Sequence, residues 1–383
     1  MAKMQSGRKL IIGDTTLRDG VQMAGARLPP GARIQIARAL EEAGVRSIEV
    51  GFPAIGPHEV EEIRAVAAQT QSAMLTVLSR AKSEDIDAAC AAFAGVPRYR
   101  CGVNLFLATS SIHRERRLRK SKEEILAKVD SAVRYARGHF RIVSFGAEDA
   151  GRTDFEFLCD VYAAAIDAGV STIGFPDTVG ILQPQQVHRT IGALRARLAQ
   201  HPVRIAVHFH NDLGLATANT LAAIEAGADV AQCTVNGIGE RAGNAALEEV
   251  VLALALAEEG RPTGIDTRRL AALSRMVAQH TGVPVSPHKP VVGERVFTTA
   301  AGMHQEGLLR DVKSFQPFAP SLVGGAGVTL SLGRLSGHAA VSEYLRQAGR
   351  EPTVDAVEEM LRRLRDPERD HERVEVTLHD EAR

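Results

Sequence analysis

Eight short β-rich runs mark the first part of this 383-residue chain, and segments with helical spacing separate them. The runs are Leu10–Gly13, Ser47–Gly51, Leu75–Leu78, Cys101–Leu107, Arg141–Phe145, Thr172–Phe175, Ile205–His210 and Val230–Val235. Strands that alternate with helices call for a parallel sheet. Eight such units over about 280 residues match the arithmetic of an α/β fold, the (β/α)8 TIM barrel. An open, doubly wound sheet competes with it, but no GxGxxG follows the first run. "GIGERAG", Gly237 to Gly243, has the wrong spacing and follows the last run. Gly44, Gly169 and Gly227 stand just before a run, where a helix ends in the left-handed conformation. The stretch "GVPVSPHKPVVG" marks a change of organisation near residue 285. The expected layout is a catalytic barrel over residues 1–285 and a smaller, mainly helical C-terminal arm over 286–383. In the arm, "LVGGAGVTLSLG" reads as irregular, two helical segments follow it, and the final "RDPERDHERVEV" reads as solvated.

Composition narrows the partners. Lys+Arg and Asp+Glu balance at 46 each, so no overall basic field points to nucleic acid. The dense basic stretch "HRERRLRK", His113 to Lys120, reads first as a solvated face, with a secondary role in attracting an anionic substrate. Four scattered cysteines without a CxxC pair suit buried thiols in a reducing cytoplasm. The N-terminus is too polar for a signal peptide, and no apolar run reaches the about 18 residues of a membrane span. The expected partners are therefore small molecules, in the cytoplasm, with no nucleic acid and no membrane.

In a barrel the chemistry sits where the strands end. Those ends carry Asp14, Arg18 and Asp19 after the first run, Glu49 in the second, Ser79 and Arg80 after the third, and Thr109 and His113 after the fourth. Glu148, Asp149 and Arg152 follow the fifth, and Asp177 and Thr178 the sixth. His208, His210 and Asn211 close the seventh, and Asn236, Glu240, Arg241 and Asn244 follow the eighth. Residues two apart on a strand share a face, so His208 and His210 point the same way. Alone they read equally as a hydrogen-bonded structural pair or as metal ligands. Clustered with seven other polar strand ends, they read as part of a metal site. Asp19 supplies a carboxylate across the mouth and Asn244 a carbonyl oxygen. A mixed N/O set without thiolate suits Mg²⁺, Mn²⁺, Zn²⁺ or Co²⁺.

The stretches "DTTLRDG", "EDAGRTD", "PDTVG", "VHFHNDLGLATANTLAAIEAGA" and "NGIGERAGNAALEEVVLAL" closely resemble the 2-isopropylmalate synthase and homocitrate synthase family, a branch of the DRE-TIM metallolyases. The resemblance runs from about Ile11 to His304. It implies a Claisen-type condensation of acetyl-CoA with a 2-oxo acid, then thioester hydrolysis, giving a 2-substituted malate and CoA. It implies Asp19, His208, His210 and Asn244 as metal positions and Arg18 as the donor to the keto oxygen. Glu148 and His304 match the family's acid–base positions, and the base is left open between them. His113 and Thr178 match positions lining the 2-oxo acid pocket, and Glu49 is expected beside the substrate. In the family the C-terminal arm completes the partner's site, which implies a homodimer. A leucine-sensing domain and its feedback inhibition are not expected in a chain of this length.

The departures gather in and beyond the hinge. Val21 stands where the family usually has Glu, and Thr299-Ala300 where it has His-Glu. Phe315 replaces a tyrosine, and "GRLSG" replaces "GKHSG". These changes touch the acetyl-CoA side more than the metal side. They leave room for a specialised acceptor, a phosphonate among them, for a superfamily lyase or aldolase reaction, and for a non-catalytic 2-oxo acid sensor.

Overall fold

All eight runs contain strands, and their ladder closes on itself. The computed structural model describes residues 9–257, 261–366 and 374–379. In order, β1 is Ile11–Asp14, β2 Ser47–Glu49, β3 Met74–Arg80, β4 Cys101–Ala108, β5 Ile142–Glu148, β6 Thr172–Asp177, β7 Arg204–Phe209 and β8 Val230–Cys233. Each pairs in parallel with its neighbours, and β1 also pairs with β8, so the barrel has no free edge. The outer helices are α1 (Ala32–Glu42), α2 (Pro57–Gln69), α3 (Ser83–Ala92), α4 (Lys122–His139), α5 (Phe155–Ala168), α6 (Pro184–Arg197), α7 (Ala216–Glu225) and α8 (Leu247–Leu256). α9 (Leu270–Thr281) follows them.

Local chemistry explains where the helices start and stop. Ser121 and Glu124 form a reciprocal capping box at the start of α4. Asp154 accepts from the Phe157 backbone to start α5. Gly169 ends α5 at φ +107°, where a side chain would be strained, and its N–H donates to the Ala165 and Ile166 carbonyls. Gly44 and Gly227 end α1 and α7 in the same left-handed region.

The chain divides into two compact units, Met1–Asp266 with Leu273–Pro284, and Thr267–Ala272 with Val285–Arg383. In the first unit the apolar core lies outside the strands, against the helices. Val143, Phe145, Ile173 and Phe175 of β5 and β6 are wholly buried there. In the second unit, helices α10 (Gly302–Arg310), α11 (His338–Gln347) and α12 (Val354–Arg365) accompany a three-stranded sheet. Its strands are β9 (Thr298–Thr299), β10 (Gly327–Leu332) and β11 (Val374–His379). The arm is helical as expected, but the Gly-rich stretch read as irregular supplies the central strand β10. Part of the tail read as solvated also corrects: Val374–Val376 enter β11, antiparallel to β10. Residues 367–373 of that tail lie outside the described residues. Val328, Leu330 and Val376 build a separate small core with Val341 and Leu345 of α11 and Val357 and Leu361 of α12. The alternation in β10 is Val-Thr-Leu-Ser-Leu, a half-buried strand whose period the neighbouring glycines obscure.

Phe145→Ala should lower unfolding free energy by about 3–5 kcal/mol, because it empties a filled site between sheet and helices. Urea unfolding followed by circular dichroism measures it.

Candidate active site

The turn after β1 sets the geometry. The backbone N–H groups of Arg18, Asp19 and Gly20 all donate to the Thr15 carbonyl, which brings Arg18 and Asp19 back over the barrel mouth. Asp14 accepts from the Thr16 backbone (2.9 Å) and from its hydroxyl (2.7 Å), and Thr16 Oγ1 accepts from Val235 N. Asp14 therefore anchors β1 to the exit of β8. Arg18 is braced by Glu49 instead.

Arg18 lies buried between two carboxylates. Its Nε donates to Glu49 Oε2 at 2.5 Å and its Nη1 to Asp19 Oδ2 at 2.7 Å. Glu49 also accepts from Thr15 Oγ1 and Asn104 Nδ2, both at 2.7 Å. Both Glu49 oxygens are thus engaged by the protein, which makes Glu49 the support of Arg18. Burial alone would raise the Glu49 and Asp19 carboxyls. The Arg18 charge outweighs it, and both titrate below the ordinary carboxylate range. Burial works against the guanidinium too, but its two partners raise its pKa and keep it cationic.

The two histidines face Asp19. His208 Nε2 lies 3.6 Å and His210 Nε2 4.0 Å from Asp19 Oδ2, and the two ring nitrogens are 3.3 Å apart. Burial pushes the His208 imidazole down to about 3 and lowers that of His210, so both stay neutral. The Nδ1 atoms of both and Oδ1 of Asn244 are buried and have no hydrogen-bond partner among the described residues. Such atoms are costly to leave unpaired. One ligand atom from each of Asp19, His208 and His210 lies within 4.8 Å of the other two. Two neutral imidazoles and a carboxylate around one point fit a divalent cation. Asn244 adjoins the cluster, its Nδ2 donating to Asp19 Oδ1 at 2.7 Å and to the Ile238 carbonyl at 3.1 Å. Gly239 makes this possible: at φ +156°, a Cβ there would stand 2.0 Å from Asn244 Nδ2.

The β5 and β6 ends form the opposite rim. Glu148 accepts from Arg117 at 2.6 Å. Thr178 Oγ1 accepts from Asp149 N, and Asp149 is gripped by Arg152. His113 sits 3.7 Å from Asp149 Oδ2, within the turn of helix Ile112–Leu118. Asp177 accepts from Leu182 N and holds the following turn. Arg241 pairs bidentately with Asp212. Glu240 uses its backbone N–H to reach Asp19 Oδ1. Asn104 and Arg117 were not singled out in the sequence. Asn104 carries no local signal, and Arg117 was one of several arginines in the stretch read as solvated. In the second unit, His304 is exposed on α10 and stacks on Phe315, ring centroids 4.1 Å apart.

A cavity of about 590 Å³ opens among Arg18, Asp19, Glu49, Glu148, His208 and His210. Comparison with known proteins agrees with this arrangement. The HMGL-like family model matches residues 9–277, most of the chain. The chain belongs to this family. A second model, homocitrate synthase post-HMGL domain-like, matches residues 291–372. The 2-isopropylmalate synthase of Rhodopirellula baltica is 41% identical over 92% of this HMGL-like chain and 67% of its own length. The putative (R)-citramalate synthase of Methanopyrus kandleri is 42% identical over 92% of the chain and 68% of its own. Among solved structures, Pseudomonas aeruginosa hydroxymethylglutaryl-CoA lyase shares the fold, with a TM-score of 0.60 and 23% identity over 72% of this chain and 94% of that one.

Two measurements test the site. His208→Ala protein should show no stoichiometric Mn²⁺ uptake by titration calorimetry where the unaltered protein does. Burial raises Asp14 to about 7, against about 3.9 when unfolded. Between those values the folded state binds more protons, so this group's share of stability is lost as pH rises from about 4 through about 7. Asp14→Asn should remove that share. Urea unfolding at several pH values should show the variant gaining on the unaltered protein from pH 4 to 7, then levelling.

Proposed function

We propose that this chain is a divalent-metal-dependent acyltransferase that condenses acetyl-CoA with a 2-oxo acid, then hydrolyses the thioester. The observation that carries the reading is the convergence of Asp19, His208 and His210 beside a buried, doubly braced Arg18. The names of the 2-isopropylmalate and citramalate synthase relatives support it. Atoms balance simply: the acetyl methyl gives up a proton and bonds to the keto carbon, the keto oxygen becomes a hydroxyl, and water releases CoA.

Asp19, His208, His210 and Asn244 would hold the cation, Mn²⁺, Mg²⁺, Zn²⁺ or Co²⁺. When bound, it supplies Lewis-acid polarisation of the 2-oxo acid. Arg18 presents a fixed cationic donor where the keto oxygen gains charge, and fixed donors need no reorganisation as charge develops. Glu49 holds that donor in place, with Asn104 and Thr15 saturating the rest of its carboxylate. Glu148, aimed by its hydrogen bond from Arg117, is one group for moving the methyl proton, and His304 is the other. Thr178 and His113 border the acceptor. We place the protein in the cytoplasm as a homodimer in which the arm of one subunit serves the partner. This rests on the family resemblance and on four free thiols, of which Cys101, Cys159 and Cys233 are buried.

The test is thiol release with acetyl-CoA, Mn²⁺ or Mg²⁺, and 2-oxo acids of varied size. The set includes 2-oxoisovalerate, 2-oxoglutarate, pyruvate, oxaloacetate, 3-phosphonopyruvate and linear acids. At least one should release CoA. His208→Ala should abolish the release and Arg18→Met should cut kcat by about 10²–10³-fold, as for loss of a donor to a developing oxyanion. Silence across the set with metal bound overturns the condensation.

A further inference from the structure

The axis of an eight-stranded barrel is ordinarily a packed core, filled by layers of bulky branched side chains. Here that filling is thinned over part of the wall: Ile11, Met74, Leu78, Phe106 and Ile142 still line the cavity, but β5 to β7 carry small residues inward. Gly13 of β1, Ser47 of β2, Ser144 and Gly146 of β5, Gly174 of β6 and Ala206 of β7 all line the central cavity. Burial alternates along the strands in a telling sense. In β5 the outward Val143, Phe145 and Ala147 are wholly buried, while the inward Ile142, Ser144, Gly146 and Glu148 are only partly so. β6 repeats the pattern, with Thr172, Gly174 and Pro176 partly accessible between buried Ile173, Phe175 and Asp177.

The small residues form a continuous surface. Register places Gly146 opposite Gly174 and Gly174 opposite Ala206, across three adjacent strands. Ser47 stands opposite Gly13. Backbone geometry does not demand Gly13 or Gly146, whereas a Cβ on Gly174 would stand 3.2 Å from the Gly146 Cα. Gly13 and Gly146 are absent from the positive-φ residues. A Cβ on Gly146 would meet nothing nearer than the Leu105 carbonyl at 3.8 Å, and one on Gly13 nothing nearer than 3.7 Å. What the missing side chains do is keep the axis open. The lining runs from Glu148 at the mouth to Ile142 at the strand start. Six steps along the strand, at about 3.3 Å each and a tilt of about 36°, give a depth of about 16 Å.

We infer that the acceptor is a 2-oxo acid with an elongated, unbranched side chain, laid down the barrel axis over Gly146, Gly174, Ala206 and Ser144. This rests on the condensation proposed above and names its substrate class. Arg18 and the Asp19/His208/His210 cluster hold the 2-oxo carboxylate end at the mouth. Directly inward of His208 on the same face lies Ala206, and inward of Glu148 lie Gly146 and Ser144, so the side chain has one way to run. An eight-stranded interior is only about wide enough for side chains, which selects a slender occupant over a broad one. Its lining mixes hydroxyls and the amides of Asn104 and Gln232 with apolar groups, and Arg141 and Arg204 stand toward the strand starts.

The experiment is a chain-length series, 2-oxobutanoate to 2-oxodecanoate with 2-oxoisovalerate beside it. Thiol release with acetyl-CoA and Mn²⁺ is read in parallel with calorimetric binding to the Mn²⁺-loaded protein. kcat/KM and affinity should each rise about tenfold or more from the shortest acid to the preferred one, with 2-oxoisovalerate below it. Ser144→Leu, which plugs the axis away from the reacting groups, should lose the long acids by at least about tenfold and spare 2-oxobutanoate. Gly146→Val is the second variant, and both are checked by thermal melting. A flat or falling profile, or a plug that weakens short and long acids alike, overturns the inference. Chain-length-dependent binding without thiol release would support the acceptor and overturn the condensation instead.

Discussion

Arg18 sits between Glu49 and Asp19 at the end of β1, and the rest of the site depends on that contact. A guanidinium taken out of water is costly unless charge and hydrogen bonds answer it. Glu49 answers from β2, itself held by Asn104 of β4 and by Thr15. Asp19 answers from the next residue and stays ionised because of it. An ionised Asp19 in turn gives the neutral imidazoles of β7 a carboxylate to share a cation with. Asn244, folded back by the loop after β8, and Glu240 N complete its contacts. One buried ion pair thus ties together groups from β1, β2, β4, β7 and the loop after β8.

The barrel can keep such a polar interior because its stability lies elsewhere. The filled apolar layer is between strands and helices, where Phe145, Phe175, Tyr162 and Ile173 are wholly buried. Tyr162 even spends its hydroxyl there, on the Gly174 carbonyl at 2.6 Å. With the outer layer dense, part of the inner face is free to carry glycine, alanine and serine, and a cavity opens beside them. The arm unit is built the opposite way, with a small apolar core between β10 and helices α11 and α12 and polar residues outside.

Much of the site was legible before any coordinates. His208 and His210 announce themselves by a spacing of two in an apolar run, and Asp19 and Arg18 by their place after the first strand. Glu49 was visible as a buried acid, but its task was not. Whether it meets substrate or Arg18 depends on Asn104 and Thr15, which come from separate positions in the chain. Arg117 illustrates the limit in the other direction. It lies among several arginines in "HRERRLRK", and only the turn of that helix brings it onto Glu148. The Asp212 partner of Arg241 was hidden for the same reason: the two stand 29 residues apart, on either side of α7 and β8, and only the closed barrel puts them side by side.

The chain by itself determined the eight barrel strands, several helix ends, the barrel and the candidate site side chains. These follow from periodicities of two and 3.6 and from capping chemistry, all of which act over a few residues. Only the tertiary structure decided which active groups touch and which positions face an empty axis. Asn244 reaches Asp19 across 225 residues, and Gly146 meets Gly174 through strand register. Both depend on closing an eight-stranded ladder in one register, where a slip of one residue turns every inward side chain outward. That constraint belongs to the whole barrel, and no short stretch of sequence contains it.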